Sequence, residues 1–239
     1  MIRSVVIGLT TAVAITLLGP PGLLIAWVSG SPRLLYKLAR LGIWTIFAVG
    51  GIRLVVSGKK HLDPDVAYVF LANHVSNIDP PVAYMATGRD VRTLAKAEVF
   101  KIPVFGTVMR MAGFPAAHRG DRKKAISTLT AAAEVLGDGH DFMVFPEGTR
   151  SVTGKLGAFK KGSFVMAIQA GAPIVPVVLR GTREIWPRGS MRLCAGTVEI
   201  EFLEPVPTAD LEMEDRDALR REVRDTMAAV LAANEPVLH

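Results

Sequence analysis

His74 and Asp79 stand five residues apart in the stretch Asn73-His74-Val75-Ser76-Asn77-Ile78-Asp79-Pro80-Pro81. The apolar run over residues 66–72 reads as a buried strand, so the histidine falls at a strand end. Asp79 followed by two prolines has the pattern of an acidic N-cap with proline at the first helical position. A histidine on such a turn lies at the sheet edge, where α/β folds place chemistry. A carboxylate five residues on fixes its tautomer and stabilises its protonated form, which describes a general base. The same residues could instead serve only as a helix cap and a turn.

A second cluster, Phe145-Pro146-Glu147-Gly148-Thr149-Arg150-Ser151, follows another apolar run and makes a glycine-containing turn. Arg150 is suited to bind a phosphate bidentately, and Glu147 to orient donors or accept from a substrate hydroxyl; the alternative is that the two pair with each other. Arg119 ends a short apolar run and is a third candidate, whereas Arg122, Lys123 and Lys124 read as a solvated helical turn and His118 as a turn residue. Lys160 and Lys161 are further candidates for an anion or plain surface lysines. No serine sits in a G-x-S-x-G elbow, and Ser76 is too near His74 in sequence for nucleophile geometry. The stretch from Gly148 fails as a nucleotide phosphate loop, because Lys155 comes one residue late and Leu156 stands where Ser or Thr is required. A base without a nucleophile of its own has a substrate hydroxyl as its natural target.

The elements that must position these groups read as a single mixed α/β domain over residues 53–239. Strands are expected at residues 53–56, 66–72, 91–95, 142–145, 174–179 and 197–202, with helices at 81–86, 104–112, 125–136 and 164–170. Residues 215–234 carry an amphipathic pattern that suits a last helix packed on the domain.

Residues 1–52 differ in kind. No charge occurs between Arg3 and Arg33, and residues 5–28 are long enough to cross a bilayer core of about 30 Å. Gly19-Pro20-Pro21-Gly22 interrupts that run, predicting either one kinked spanning helix or two short helices dipping into one leaflet. No A-x-A-like site follows, so a retained anchor is expected rather than a cleaved leader. Arg33, Lys37 and Arg40 on its C-terminal flank place the rest of the chain in the cytoplasm, at a plasma or inner membrane. Leucines at helical spacing among those cations read as a membrane-skimming helix running into an apolar segment over residues 42–52. The net charge of +6 then suits an anionic membrane surface. A nucleic-acid partner is not expected, since aromatic residues make up 7% of the chain and no reader motif occurs. One cysteine, Cys194, excludes an internal disulfide and a cysteine-based zinc site, and no metal site is expected.

Asn73-His74-x-Ser76-x-x-Asp79, the segment from Gly113 to Arg119, Phe145-Pro-Glu-Gly-Thr-Arg150 and Ile174-Val-Pro-Val177 occur in the order of the four motifs of the glycerolipid acyltransferase family, which the chain resembles. The resemblance is closest to the 1-acyl-sn-glycerol-3-phosphate (lysophosphatidic acid) acyltransferases and spans residues 73–177. It implies that His74 deprotonates the sn-2 hydroxyl of lysophosphatidic acid while Asp79 orients the imidazole. The hydroxyl oxygen would attack the thioester of acyl-CoA or an acyl carrier protein directly, with no cofactor beyond that co-substrate. Arg119, Glu147, Gly148, Thr149 and Arg150 match positions linked to the glycerol-phosphate head group, and Lys96 matches a lysine near the acceptor. Pro115-Ala116-Ala117 departs from the larger apolar residues usual before that arginine. Backbone N–H groups at the start of the helix after Asp79 are the candidate oxyanion donors. A different lysolipid or glycerol-3-phosphate as acceptor, a Ser76/His74 hydrolase, and a non-catalytic lipid-binding protein are the competing readings.

Overall fold

The computed structural model describes residues 2–117 and 122–233. Two helices come first, α1 (Ile2–Ser29) and α2 (Arg33–Gly50). They are followed by β1 (Ile52–Ser57), β2 (Val69–Ala72), α3 (Asp79–Thr87), β3 (Arg92–Thr93), β4 (Ala95–Lys96), α4 (Phe105–Met111) and β5 (Ala116–Ala117). The chain continues through α5 (Arg122–Gly137), β6 (Phe142–Val144), α6 (Gly162–Ala170), β7 (Ile174–Arg180), α7 (Thr182–Ile185), β8 (Gly196–Phe202) and α8 (Arg216–Ala233).

Six strands form one sheet in the order β1-β8-β7-β2-β6-β3. β2 pairs in parallel with both β7 and β6, and β6 with β3, so these four strands end at the same edge. β8 runs antiparallel to β7 and parallel to β1. β4 and β5 make a separate parallel pair, Lys96 lying opposite Ala117.

Alternation along the strands builds a core on each face of the sheet. Phe70 and Ala72 of β2 point with Val175, Val177, Ile200 and Phe202 toward α3 and the N-terminal helices. Val69 and Leu71 point the other way, onto Phe142, α6 and α8. Both faces are covered, which is why the central strands read as continuous apolar runs rather than alternating ones. The expected α/β class is the observed one.

Of the two expectations for the Gly-Pro-Pro-Gly segment, two short helices are not what forms: α1 is one continuous helix with Pro20 and Pro21 inside it. Gly19 is a notch rather than a break: a Cβ there would lie 2.5 Å from Val104 Cγ1. Gly22 faces Leu35 and Leu38, Gly42 faces Leu18 and Ala14, and Gly50 faces Ile7, so α1 and α2 form an antiparallel hairpin through small residues. Ile7 and Phe47 enter the same core as Phe70 and Phe202, and Ser4 Oγ accepts the Leu193 N–H at 2.9 Å, which docks the hairpin on the sheet domain. The outer side of α1 remains apolar and exposed; by length and composition α1 is able to cross a membrane.

Candidate active site

Four strands deliver the site to one edge. β2 ends at Ala72, and Asn73 carries the pairing one step further through its side chain. Asn73 Oδ1 accepts the Leu179 N–H at 2.8 Å and its Nδ2 donates to Leu179 O at 3.0 Å. The buried amide thus imitates a peptide against β7 and fixes where the chain leaves the sheet.

His74 follows. Its Nδ1 lies 2.8 Å from Asp79 Oδ2, and its ring stacks on Phe145 with centroids 4.3 Å apart. Asp79 is fully buried, and its Oδ2 also accepts the N–H groups of Val75 and Ser76, each at 2.7 Å. With Nδ1–H donated to this carboxylate, Nε2 carries the lone pair, the tautomer a general base requires. Among the described residues Nε2 has no hydrogen-bond partner.

The carboxylate does not cap α3 in the expected way. An N-cap side chain accepts the N–H of the second or third helical residue; here Ile78 holds the cap position, Pro80 and Pro81 have no N–H, and that of Val82 goes to Ile78 O. The side chain turns back to the loop it came from. Four N–H groups near the start of this helix are committed within the protein: those of Val75 and Ser76 go to Asp79, that of Ile78 to Ser76 Oγ and that of Val82 to Ile78 O.

Glu147 is buried and faces inward. Its Oε1 accepts the His74 N–H at 2.8 Å and its Oε2 the Gly157 N–H at 2.9 Å. Burial pushes its carboxyl above the ordinary carboxylate range, against the lowering by these two backbone donors. The sequence placed Glu147 against a substrate phosphate; the structure places it beneath the loop that carries His74, and it pairs with backbone rather than with Arg150. Ser151 N–H donates to His74 O at 2.7 Å, a second stitch between the two loops.

Arg150 is half-buried and donates through Nη1 to Asn77 Oδ1, in the loop between His74 and Asp79. Gly148, at φ 68°, lies under Lys160, whose Nζ is 2.6 Å from where a Cβ would stand. Thr149 is exposed on the same turn. Lys161 instead pairs with Asp217 at 3.1 Å, leaving Lys160 as the candidate of the two at this edge. Lys96 is exposed on β4, whose partner β5 runs toward Arg119; Arg119 itself and His118 lie outside the described residues.

Ser76 is buried, donates to Trp186 O at 2.7 Å and accepts the Ile78 N–H at 3.3 Å. A hydroxyl so enclosed is a structural link and not a nucleophile, which removes the geometric basis for a Ser76/His74 hydrolase. The sequence reading missed Asn73, Phe145, Gly157 and the arginines Arg183 and Arg188 beyond β7. A strand end was the signal available for the last two, because they follow residues 174–179 as Arg150 follows residues 142–145.

A sheet whose carboxyl edge gathers a carboxylate-held histidine and several cations defines an α/β enzyme of the kind that acts on an anionic substrate. The acyltransferase family model matches residues 53–180. The 1-acyl-sn-glycerol-3-phosphate acyltransferase alpha of Bos taurus is 34% identical over 196 residues, covering 81% of this chain and 68% of its own length. A 1-acyl-sn-glycerol-3-phosphate acyltransferase of Limnanthes douglasii is 31% identical over 199 residues, covering 83% and 69%. The crystal structure of the 1-acyl-sn-glycerophosphate (LPA) acyltransferase PlsC from Thermotoga maritima superposes with a TM-score of 0.82 at 27% identity, covering 97% of this chain and 96% of that one. The chain belongs to the acyltransferase family and is an enzyme of acyl transfer.

Proposed function

We propose that the protein transfers an acyl chain from an acyl thioester, acyl-CoA or an acyl carrier protein, to the sn-2 hydroxyl of lysophosphatidic acid, giving phosphatidic acid. The observation that carries this reading is His74, its Nδ1 held by buried Asp79 and its Nε2 unpartnered among the described residues, with the neighbouring Ser76 hydroxyl enclosed. The names of the relatives support the acceptor and the product class.

Nε2 takes the proton of the acceptor hydroxyl as its oxygen bonds to the thioester carbon. The C–S bond then breaks, and the leaving thiolate takes the proton back from the imidazolium. Buried Asp79 stabilises that cation between the two steps, and Glu147 keeps the His74 backbone in place. Lys96, Arg119, Gly148, Thr149, Arg150 and Lys160 are assigned to the acceptor phosphate. No cofactor is needed beyond the thioester co-substrate. α1 and α2 hold this edge at a membrane, the sheet domain facing the cytoplasm, so that a single-chain lipid reaches the site without leaving the bilayer.

An acceptor panel tests the reading. Purified protein given one thioester and, in turn, lysophosphatidic acid, glycerol-3-phosphate and neutral lysolipids is expected to acylate lysophosphatidic acid with the highest kcat/KM. A higher value for any other acceptor overturns the assignment.

A further inference from the structure

On the β7 side of His74 the sheet edge carries a pocket of about 270 Å³, bounded by Val75, Ser151, Arg183, Pro187, Arg188 and Gly189. It starts next to the catalytic histidine, since Val75 is one of its walls. Arg183 donates through Nη1 to Thr153 O at 2.7 Å and through Nη2 to Val152 O at 3.2 Å. Arg188 donates through Nη1 to Arg150 O at 2.7 Å. Neutral carbonyls orient the two guanidinium groups without cancelling their charge, and among the described residues neither arginine pairs with a carboxylate. Most of their N–H donors are therefore available to an anion, with little side-chain entropy left to lose.

Strand order gives this cation pair a meaning. His74, at the end of β2, lies between β7 and β6. In chain order the cations assigned to the acceptor lie on β4 or follow β5 and β6, while Arg183 and Arg188 follow β7, and the two sets adjoin where Arg188 donates to Arg150 O. Acyl transfer joins two substrates at one base, and each of them carries a phosphate. The pocket is smaller than the roughly 300–1,000 Å³ typical of whole small-molecule sites, which suits a slender polar arm better than a lipid. A larger pocket of about 670 Å³ lies at the opposite end of β7; its walls set Glu201, Glu204 and Glu222 against Lys60 and a His61 already paired with Glu204, an excess of carboxylates that disfavours an anion there.

We infer that the Arg183/Arg188 pocket receives the phosphate-bearing arm of the acyl donor, a phosphopantetheine, the group shared by coenzyme A and carrier-protein thioesters. The inference rests on the acyl-transfer reading for the identity of the donor.

The test uses the full chain in detergent–lipid micelles and the variants Arg183→Gln, Arg188→Gln and their double. Glutamine keeps an N–H for the backbone carbonyl and removes the charge. Each protein is given acyl-CoA, acyl-4′-phosphopantetheine and acyl-pantetheine, the last two differing only by the phosphate, at saturating lysophosphatidic acid. The wild type is expected to favour acyl-4′-phosphopantetheine, and acyl-CoA, over acyl-pantetheine, and the double variant to lose that preference by about tenfold or more, as loss of charged hydrogen bonds predicts. In the wild type the preference should also fall as salt is raised, a reading that does not depend on any variant folding. A preference that survives both in the double variant and in high salt overturns the inference. So does a rise in the KM for lysophosphatidic acid with the donor KM unmoved, which would give the pocket to the lipid head group. Calorimetry with coenzyme A alone separates the two levels of the argument. Binding that depends on the arginines, in a protein that acylates no acceptor, would leave this site standing and overturn the acyl-transfer reading; turnover with no dependence on the arginines would do the reverse.

Discussion

Replacing Asp79 by Asn separates orientation from bulk at His74. An amide can still accept the Val75 and Ser76 N–H groups through its oxygen, but it no longer offers the imidazole an anion. Turnover by Asp79→Asn should fall by about 10²-fold or more with the fold retained, measured as initial rate beside a circular dichroism spectrum. Glu147→Gln keeps one of the two backbone N–H bonds and sets an NH₂ against the other, at a cost of about 1–3 kcal/mol. Because burial raises the Glu147 carboxyl, the folded state holds its proton more tightly than the unfolded chain does. Its contribution to stability is thus greatest below the ordinary value of 4.5 and declines as pH rises through the raised one. Denaturation across that range should show the stability of the wild type, relative to Glu147→Gln, shrinking as pH increases; a growing difference would contradict the burial argument. At this scale the pairing of His74 with Asp79 was legible because both partners lie within one loop. The inward turn of Glu147 was not, because a carboxylate at a strand end looks the same in sequence whether it meets substrate or backbone.

Loops held by glycine carry the site from one strand end to the next. A Cβ on Gly157 would stand 2.7 Å from Glu147 Oε2, so Gly157→Ala should displace the carboxylate beneath His74 and lower kcat more than it changes the acceptor KM, a split read directly from steady-state kinetics. Gly181, at φ 83°, joins β7 to α7 with Thr197 O 2.3 Å from where its Cβ would be. Gly181→Ala should destabilise the protein by about 1–3 kcal/mol, seen as a lower Tm. The strands and longer helices were readable from apolar runs of β-branched residues and from helical spacing. α7 and the β4–β5 pair were not: they are too short for periodicity to register, and only tertiary pairing reveals them. The Gly-Pro-Pro-Gly segment left one helix or two open for a related reason. Its two missing N–H groups look disruptive locally, but the helix is sustained by packing against α2 and Val104.

As a whole, the molecule presents a docked apolar hairpin on one side of a sheet enzyme. Trp27 and Trp44 are 77% and 61% exposed. Their fluorescence should shift to the blue when vesicles are added, and Trp27→Ser with Trp44→Ser should weaken co-sedimentation; no shift would sink the membrane placement. The α/β class was visible in the β-branched runs, and the apolar N-terminal helix in the absence of charge between Arg3 and Arg33. The antiparallel register of the hairpin and the pocket beyond β7 depend on which residues meet across the chain, which no local pattern records. The central claim is that His74 moves the proton in acyl transfer to lysophosphatidic acid. Its most direct test is phosphatidic acid formed per unit time by purified wild type and by His74→Ala, at saturating donor and acceptor, with folding monitored in parallel. A loss of about 10²–10⁴-fold in a folded variant is predicted; turnover at the wild-type rate in His74→Ala would contradict the account.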